Sequence, residues 1–266
     1  MERRRWPVGG KTEFRKEDVV ATITLNRPER HNAIDEEMVL SLQAHLDDVR
    51  QDESIRVVVL TGAGEKAFSA GFDIKFMRGL GPLEVRRGLP RVQALLQELE
   101  DFPRPTIAAL NGLTVGGGLV LAVACDFRIA SSHAVLGVPE VRVGFSPLLG
   151  AARRLERVVG LPKAKEIVML GQLFDAHEAE RMGLVNKVVP PERLGDEVAH
   201  WARALTEGAP LAMAVAKKTL NLASRLDPQA LSGLEEESHT FLWGTEDLRE
   251  GIAAFTEKRE PRFKGC

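Results

Sequence analysis

NGLTVGGGLVLAVACD, Asn111 to Asp126, is the stretch from which the rest of the chain can be read. An apolar strand, TIAAL, runs into a turn at Asn111 and Gly112. Gly116, Gly117 and Gly118 then open what the sequence predicts as a long apolar helix. Three consecutive glycines are costly to order and need a reason. A helix N-terminus presents unpaired N–H groups and a partial positive charge. Without Cβ atoms, a ligand oxygen can approach those groups closely, which makes an anion or oxyanion site. The alternative is a flexible loop packed against a neighbour, and the glycines alone leave that open.

A second segment, VVVLTGAGEKAFSAGFDIK from Val57 to Lys75, repeats the pattern. It reads as a buried strand, a turn, and FSAGFDI leading into a short helix. Two such turns can each supply one backbone donor, and two converging donors are what a developing enolate oxygen requires.

FSAGFDIK together with NGLTVGGGLVLAVACDFRIAS resembles the crotonase superfamily, the enoyl-CoA hydratase/isomerase family. The resemblance extends over nearly the whole chain. LNRPERHNAID (Leu25 to Asp35) is similar to the family's first strand and turn, GVPEVRVGFSP (Gly137 to Pro147) to its second acidic segment, and FTEKREPRFK (Phe255 to Lys264) to its CoA-contacting tail. The resemblance implies an α/β fold: a crotonase-like spiral of ββα units over residues 1–190 and a helical C-terminal region over 191–266. That region would serve trimerisation and CoA contacts, in a homotrimer or a dimer of trimers. Periodicity alone would not have chosen this fold over other α/β arrangements.

The same resemblance places the chemistry. The thioester carbonyl of an acyl-CoA would accept hydrogen bonds from the backbone N–H groups of Phe72 and Gly117, whose side chains are expected to matter little. Two glutamates serve the family's hydratases; here one position is Val120 and the other is Glu140. Valine cannot transfer protons, and a dry pocket should raise the pKa of a buried carboxyl. A single shuttling carboxylate resembles the family's Δ3,Δ2-enoyl-CoA isomerases, which need no water. The alternatives are a 2-enoyl-CoA hydratase working with one glutamate, another acyl-CoA lyase or hydrolase, and a non-catalytic CoA- or RNA-binding relative. Leu148 stands where some relatives carry an aspartate, which weighs against the dienoyl-CoA isomerase and dehalogenase readings. Ala70, Asp73, Ile74, Val120 and Leu148 are expected around the substrate. Asp73 also suits a helix cap. Arg30, Lys75, Phe255 and Lys258 are expected at CoA, which is part of the substrate rather than a prosthetic group; no other cofactor is implied.

Composition agrees. The chain has 266 residues, 44% hydrophobic, with a formal charge of −2, so overall charge gives no reason to expect nucleic acid. The small basic clusters, RRR near the start and RRLER from Arg153 to Arg157, read as solvated. Cys125 and Cys266 form no disulfide framework and suit a reduced, cytoplasmic setting. The histidines lack metal-ligand spacing, and no metal is assigned. No apolar run is long enough for a membrane span. MERRRWPVGGKTEF lacks the apolar core of a secretory signal and reads as a tail.

Among local elements, VVATITLNR, RVVVLTG, TIAALNG, DFRIAS, AVLGV and LVNKVVP read as strands. Asp35 should cap a helix carrying Met38, Leu42, Leu46 and Val49 on one face. A helix over VRRGLPRVQALLQELEDF is expected to be interrupted near Pro90. Asp126 is expected at a structural turn. One long helix is expected from Asp227, with a broken apolar stripe running from Leu231 to Phe255.

Overall fold

The structure, a computed structural model, describes residues 10–266; the Arg3–Arg5 cluster and the rest of the tail reading before residue 10 lie outside the described residues. β1 (Thr12–Glu17) and β2 (Val20–Leu25) form an antiparallel hairpin in which Glu17 faces Val20. Asp18, at φ 51°, makes the two-residue turn, a conformation that Asp tolerates better than most residues. β1 leaves no mark in the sequence pattern, because TEFRKE is a charged, exposed edge strand with no apolar alternation.

After α1 (Glu36–Gln51) the chain repeats one unit three times. β3 (Val57–Gly62) and β4 (Ala67–Ser69) precede α2 (Ile74–Met77) and α3 (Pro82–Glu100). β5 (Thr106–Leu110) and β6 (Leu113–Val115) precede α4 (Gly117–Ala124). β7 (Phe127–Ser131) and β8 (Val135–Gly137) precede α5 (Ala151–Leu170). In each unit the first strand joins one sheet and the second strand joins another. With β9 (Leu173–Asp175), α6 (Ala176–Arg181) and β10 (Lys187–Val189), the two sheets have the orders β1-β2-β3-β5-β7-β10 and β4-β6-β8-β9. This is the expected spiral of ββα units. From β2 to β10 the first sheet is parallel.

The central strands are apolar throughout because both faces are buried. Val58, Leu60, Ala108 and Leu110 face the main core with α1, α3 and α4. Val57, Val59, Ile107 and Ile129 face a second cluster made with Leu194, Val198 and Ala202 of α7 (Leu194–Thr206). Asp35 caps α1 by accepting from the Met38 N–H, and Met38, Leu42, Leu46 and Val49 are buried as the spacing predicts.

Four local expectations need correction. The helix opened by the glycines is short, ending at Ala124; there Asp126 accepts from the Thr106 N–H and Oγ1 and pairs with Lys217 at 2.8 Å, fixing a turn. α3 runs unbroken through Pro90, whose surroundings are exposed, so water can satisfy the carbonyl that the proline leaves unpaired. The long C-terminal helix is two: α9 (Pro228–Trp243), capped by Asp227, and α10 (Glu246–Glu257), restarted by Thr245 accepting from the Leu248 N–H; α8 (Pro210–Ala223) precedes them. The RRLER cluster is not a solvated face. Arg153, Arg154 and Arg157 converge with Arg225 on the single buried carboxylate of Glu100, and Arg154 is only 3% exposed. Among the described residues no helix is long and apolar enough to cross a membrane.

Candidate active site

Parallel pairing in the smaller sheet assembles the site. β4 pairs with β6 (Ala67 with Leu113, Ser69 with Thr114), and β6 pairs with β8 (Thr114 with Leu136, Val115 with Gly137). Their C-terminal ends therefore lie side by side. The segments that leave them carry Phe72, Gly117 and Glu140.

The first turn has little freedom. The Ile34 N–H donates to Gly71 O (2.7 Å) and the Asp73 N–H to Ile34 O (2.9 Å), which holds the backbone on both sides of Phe72. The Ala70 N–H donates to His31 O at 2.9 Å. Gly71, at φ 84°, sits so close to the second turn that a Cβ there would lie 2.9 Å from Val115 O and 3.0 Å from Gly117 N. Glycine is required on both counts. At the second turn, the Gly116 N–H donates to Gly137 O (2.9 Å), tying this loop to the strand that leads to Glu140. Among the described residues, the N–H groups of Phe72 and Gly117 have no hydrogen-bond acceptor. Two neighbouring turns thus each offer a free backbone donor.

Glu140 lies in a single 3-10 turn, Pro139–Val143, whose carbonyl end is closed by the Gly144 and Phe145 N–H groups donating to Glu140 O. Its carboxyl points back to the glycines: a Cβ on Gly116 would be 3.1 Å from Oε1. Oε2 is buried and has no hydrogen-bond partner among the described residues. Burial pushes the carboxyl pKa above its ordinary value of 4.5, against a smaller pull from its own backbone amide. Val120, one turn into α4, is 3% exposed and belongs to the main core.

The remaining expected residues divide. Asp73 accepts from the Lys75 N–H and pairs with Arg27 at 3.1 Å, so its carboxylate caps α2 and anchors the turn. Arg27 also pairs with Asp35 at 3.0 Å and donates to Ala33 O; the sequence reading missed this clamp, although Arg27 stands in the LNRPERHNAID segment. Ile74 and Leu148 are 62% and 48% exposed, leaving open apolar surface beside the turns. Arg30 ends the short turn Pro28–Arg30, next to a cleft of about 200 Å³ lined by Pro28, His31, Asn32, Gly64, Lys66 and Ala67. Lys75 is exposed on α2.

Phe255 and Lys258 are not brought to these turns within the chain. Their tail is fastened where Phe263 O accepts from Arg56 (2.7 Å), at the N-terminal end of β3, whereas the Phe72 turn lies beyond its C-terminal end. Ser131 and His133 share a 2.8 Å hydrogen bond, but the other ring nitrogen of His133 meets two backbone carbonyls, Glu65 O and Asn111 O, which is a structural role.

Residues 15–266 match the family model described as enoyl-CoA hydratase/isomerase. The crotonyl-CoA hydratase of Syntrophomonas wolfei is 38% identical over 93% of this chain and 95% of its own. The short-chain-enoyl-CoA hydratase of Clostridium acetobutylicum is also 38% identical, over 92% of this chain and 94% of its own. The crystal structure of an enoyl-CoA hydratase from Bacillus anthracis superposes with a TM-score of 0.93 at 35% identity, covering 96% of this chain and all of that one.

Proposed function

The chain belongs to the enoyl-CoA hydratase/isomerase family, and from that premise we propose that it moves the double bond of a 3-enoyl-CoA to the 2-position, with Glu140 as its single acid/base. The observation that carries this reading is the orphaned, buried Oε2 of Glu140 beside two unpaired backbone donors, with valine where a second carboxylate would stand.

The thioester oxygen would accept from the Phe72 and Gly117 N–H groups. Those bonds strengthen as charge develops on the oxygen, which brings the C2 proton within reach of a carboxylate. A comparable donor contributes roughly 3–4 kcal/mol of transition-state stabilisation. Glu140 takes the C2 proton, the dienolate forms, and Glu140 returns the proton to C4. A carboxyl whose pKa is raised by burial suits both halves of this transfer. Val120 offers no group to hold a water. Phe255 and Lys258, on α10 and at its C-cap, would serve the CoA of a neighbouring copy in a homotrimer or dimer of trimers, while Arg30 and Lys75 would serve the chain's own.

The second reading is hydration of a 2-enoyl-CoA by Glu140 alone, favoured by the hydratase names of relatives matched over nearly the whole chain. A side-by-side assay with a 3-enoyl-CoA and crotonyl-CoA separates the two. Isomerisation with little hydration is expected. Efficient formation of a 3-hydroxyacyl-CoA would overturn the isomerase reading.

A further inference from the structure

Isomerisation and hydration can share one carboxylate. In the first, the C2 proton passes to Glu140 and on to C4. In the second, a water oxygen bonds to C3, its proton passes to Glu140, and Glu140 protonates C2. The two differ in whether a water reaches C3, so the walls of the site take part in the choice beside the acid/base groups.

The sequence reading gave the side chain of Phe72 no part, because its backbone is the donor. The structure puts the ring somewhere specific. A Cβ on Gly117 would lie 2.6 and 2.7 Å from Phe72 Cε2 and Cδ2, so the ring is seated directly on the Gly117 Cα. A Cβ on Gly116 would meet Glu140 Oε1 at 3.1 Å. Ring and carboxyl therefore flank the same Gly116–Gly117 peptide, the one that carries the Gly117 N–H. The ring is held in place: it packs against the main core, and its backbone is pinned on both sides by Ile34. Arg27 fastens the next residue, Asp73. Val120, one turn along the helix that Gly117 opens, is a second apolar side chain and lies buried in the main core. Among the described residues, nothing polar meets Glu140 Oε2.

We infer that the Phe72 ring is a specificity-determining wall that keeps water from the acyl C3 and from the proton carried by Glu140. This rests on the acyl-CoA reading given above and extends it from the backbone of residue 72 to its side chain. Removing the ring leaves the Phe72 N–H donor in place but opens room on the order of several waters.

The test uses the full-length protein and three variants, Phe72→Ala, Phe72→Val and Phe72→Leu. A 3-enoyl-CoA is turned over in D2O, and crotonyl-CoA is assayed separately. Two quantities are read: the ratio of hydrated to isomerised product, and the deuterium at C4 of the 2-enoyl product. Phe72→Ala should raise the ratio about tenfold, the lower end of what an apolar contact discriminates. It should also raise the deuterium content, as the shuttled proton gains access to solvent. Phe72→Val should fall between, and Phe72→Leu should give the smallest rise of the three. If the alanine variant does not fold, the difference between valine and leucine decides. A flat series in both readouts, or equal loss of both reactions, overturns the inference. Failure of the isomerase reading shows in the wild-type products alone; hydration rising across the series would still support the wall. A wild-type protein that turns over neither ester refutes both.

Discussion

Glu100 is the residue whose loss should be felt furthest from its own position. Its carboxylate, 7% exposed, receives the Arg153 guanidinium on both oxygens (2.9 and 2.7 Å), Arg157 at 2.6 Å and Arg225 at 2.5 Å, with Arg154 Nε 2.8 Å from Oε2. Burial alone would raise its pKa. The hydrogen bonds from Arg153 and the charges of Arg154, Arg153 and Arg157 outweigh that and hold it down to about 2, against an ordinary 4.5. A depression of about 2.5 units corresponds to about 3 kcal/mol of folding stability. Because the folded pKa is the lower one, this stability is fully present above about pH 4.5 and lost as pH falls towards 2. Glu100→Gln should therefore cost about 3 kcal/mol near neutrality, and somewhat more from the guanidiniums left facing one another. Denaturant unfolding of wild type and variant from pH 7 to pH 3.5 reads this directly, and the gap should narrow by about 1 kcal/mol at the acid end. A gap below about 1 kcal/mol at pH 7, or one that does not change with pH, would mean that the guanidiniums do not hold Glu100 ionised in the folded state. The effect should also reach the site. Arg154 donates to Leu149 O at 2.6 Å, where Leu149 (φ 61°) and Gly150 (φ 75°) make two successive left-handed residues between the Glu140 turn and α5. Loosening Arg154 loosens that turn.

The remaining predictions bear on the acid/base directly. Val120→Glu introduces a second carboxyl on the first turn of α4 and should raise crotonyl-CoA hydration about 100-fold, within the span usual for a positioned general acid or base; burying an unpaired carboxyl at a 3%-exposed position should cost about 2–7 kcal/mol. Unchanged hydration in a folded variant would mean that Val120 is not what limits it. Glu140→Gln should lower turnover by roughly 1,000-fold while CoA-ester binding persists, and full retained activity would put the base elsewhere. The wild-type kcat/KM should fall on the acid side through a pKa above 4.5. The sign for stability is opposite to that of Glu100: the folded form holds the Glu140 proton more tightly, so stability is lost as pH rises from 4.5 through the raised value. The glutamine variant avoids that loss and should gain on wild type between pH 4.5 and pH 8 in the same unfolding assay; a gap independent of pH counts against a carboxyl desolvated by folding.

How much of this was legible in the sequence depends on how local the cause is. Val57–Leu60 and Thr106–Leu110 read as strands because a strand buried on both faces is apolar at every position. Gly116 is legible in the run of three glycines because positive φ and close approach leave no room for another residue. By contrast, Leu113–Val115 and Leu173–Asp175 are three-residue strands, too short for a period to show. Nothing in the sequence marks Glu100, and RRLER reads as a solvated face. Only the meeting of α3, α5 and the turn after α8 makes them a buried ion cluster, and no spacing along the chain encodes that meeting. Phe72 shows the same division within a single residue. Its backbone donor follows from the local motif, whereas the seat of its ring on Gly117 follows from the pairing of β4 with β6. A side chain at such a junction can set the reaction's outcome while the motif around it, read alone, assigns it no role.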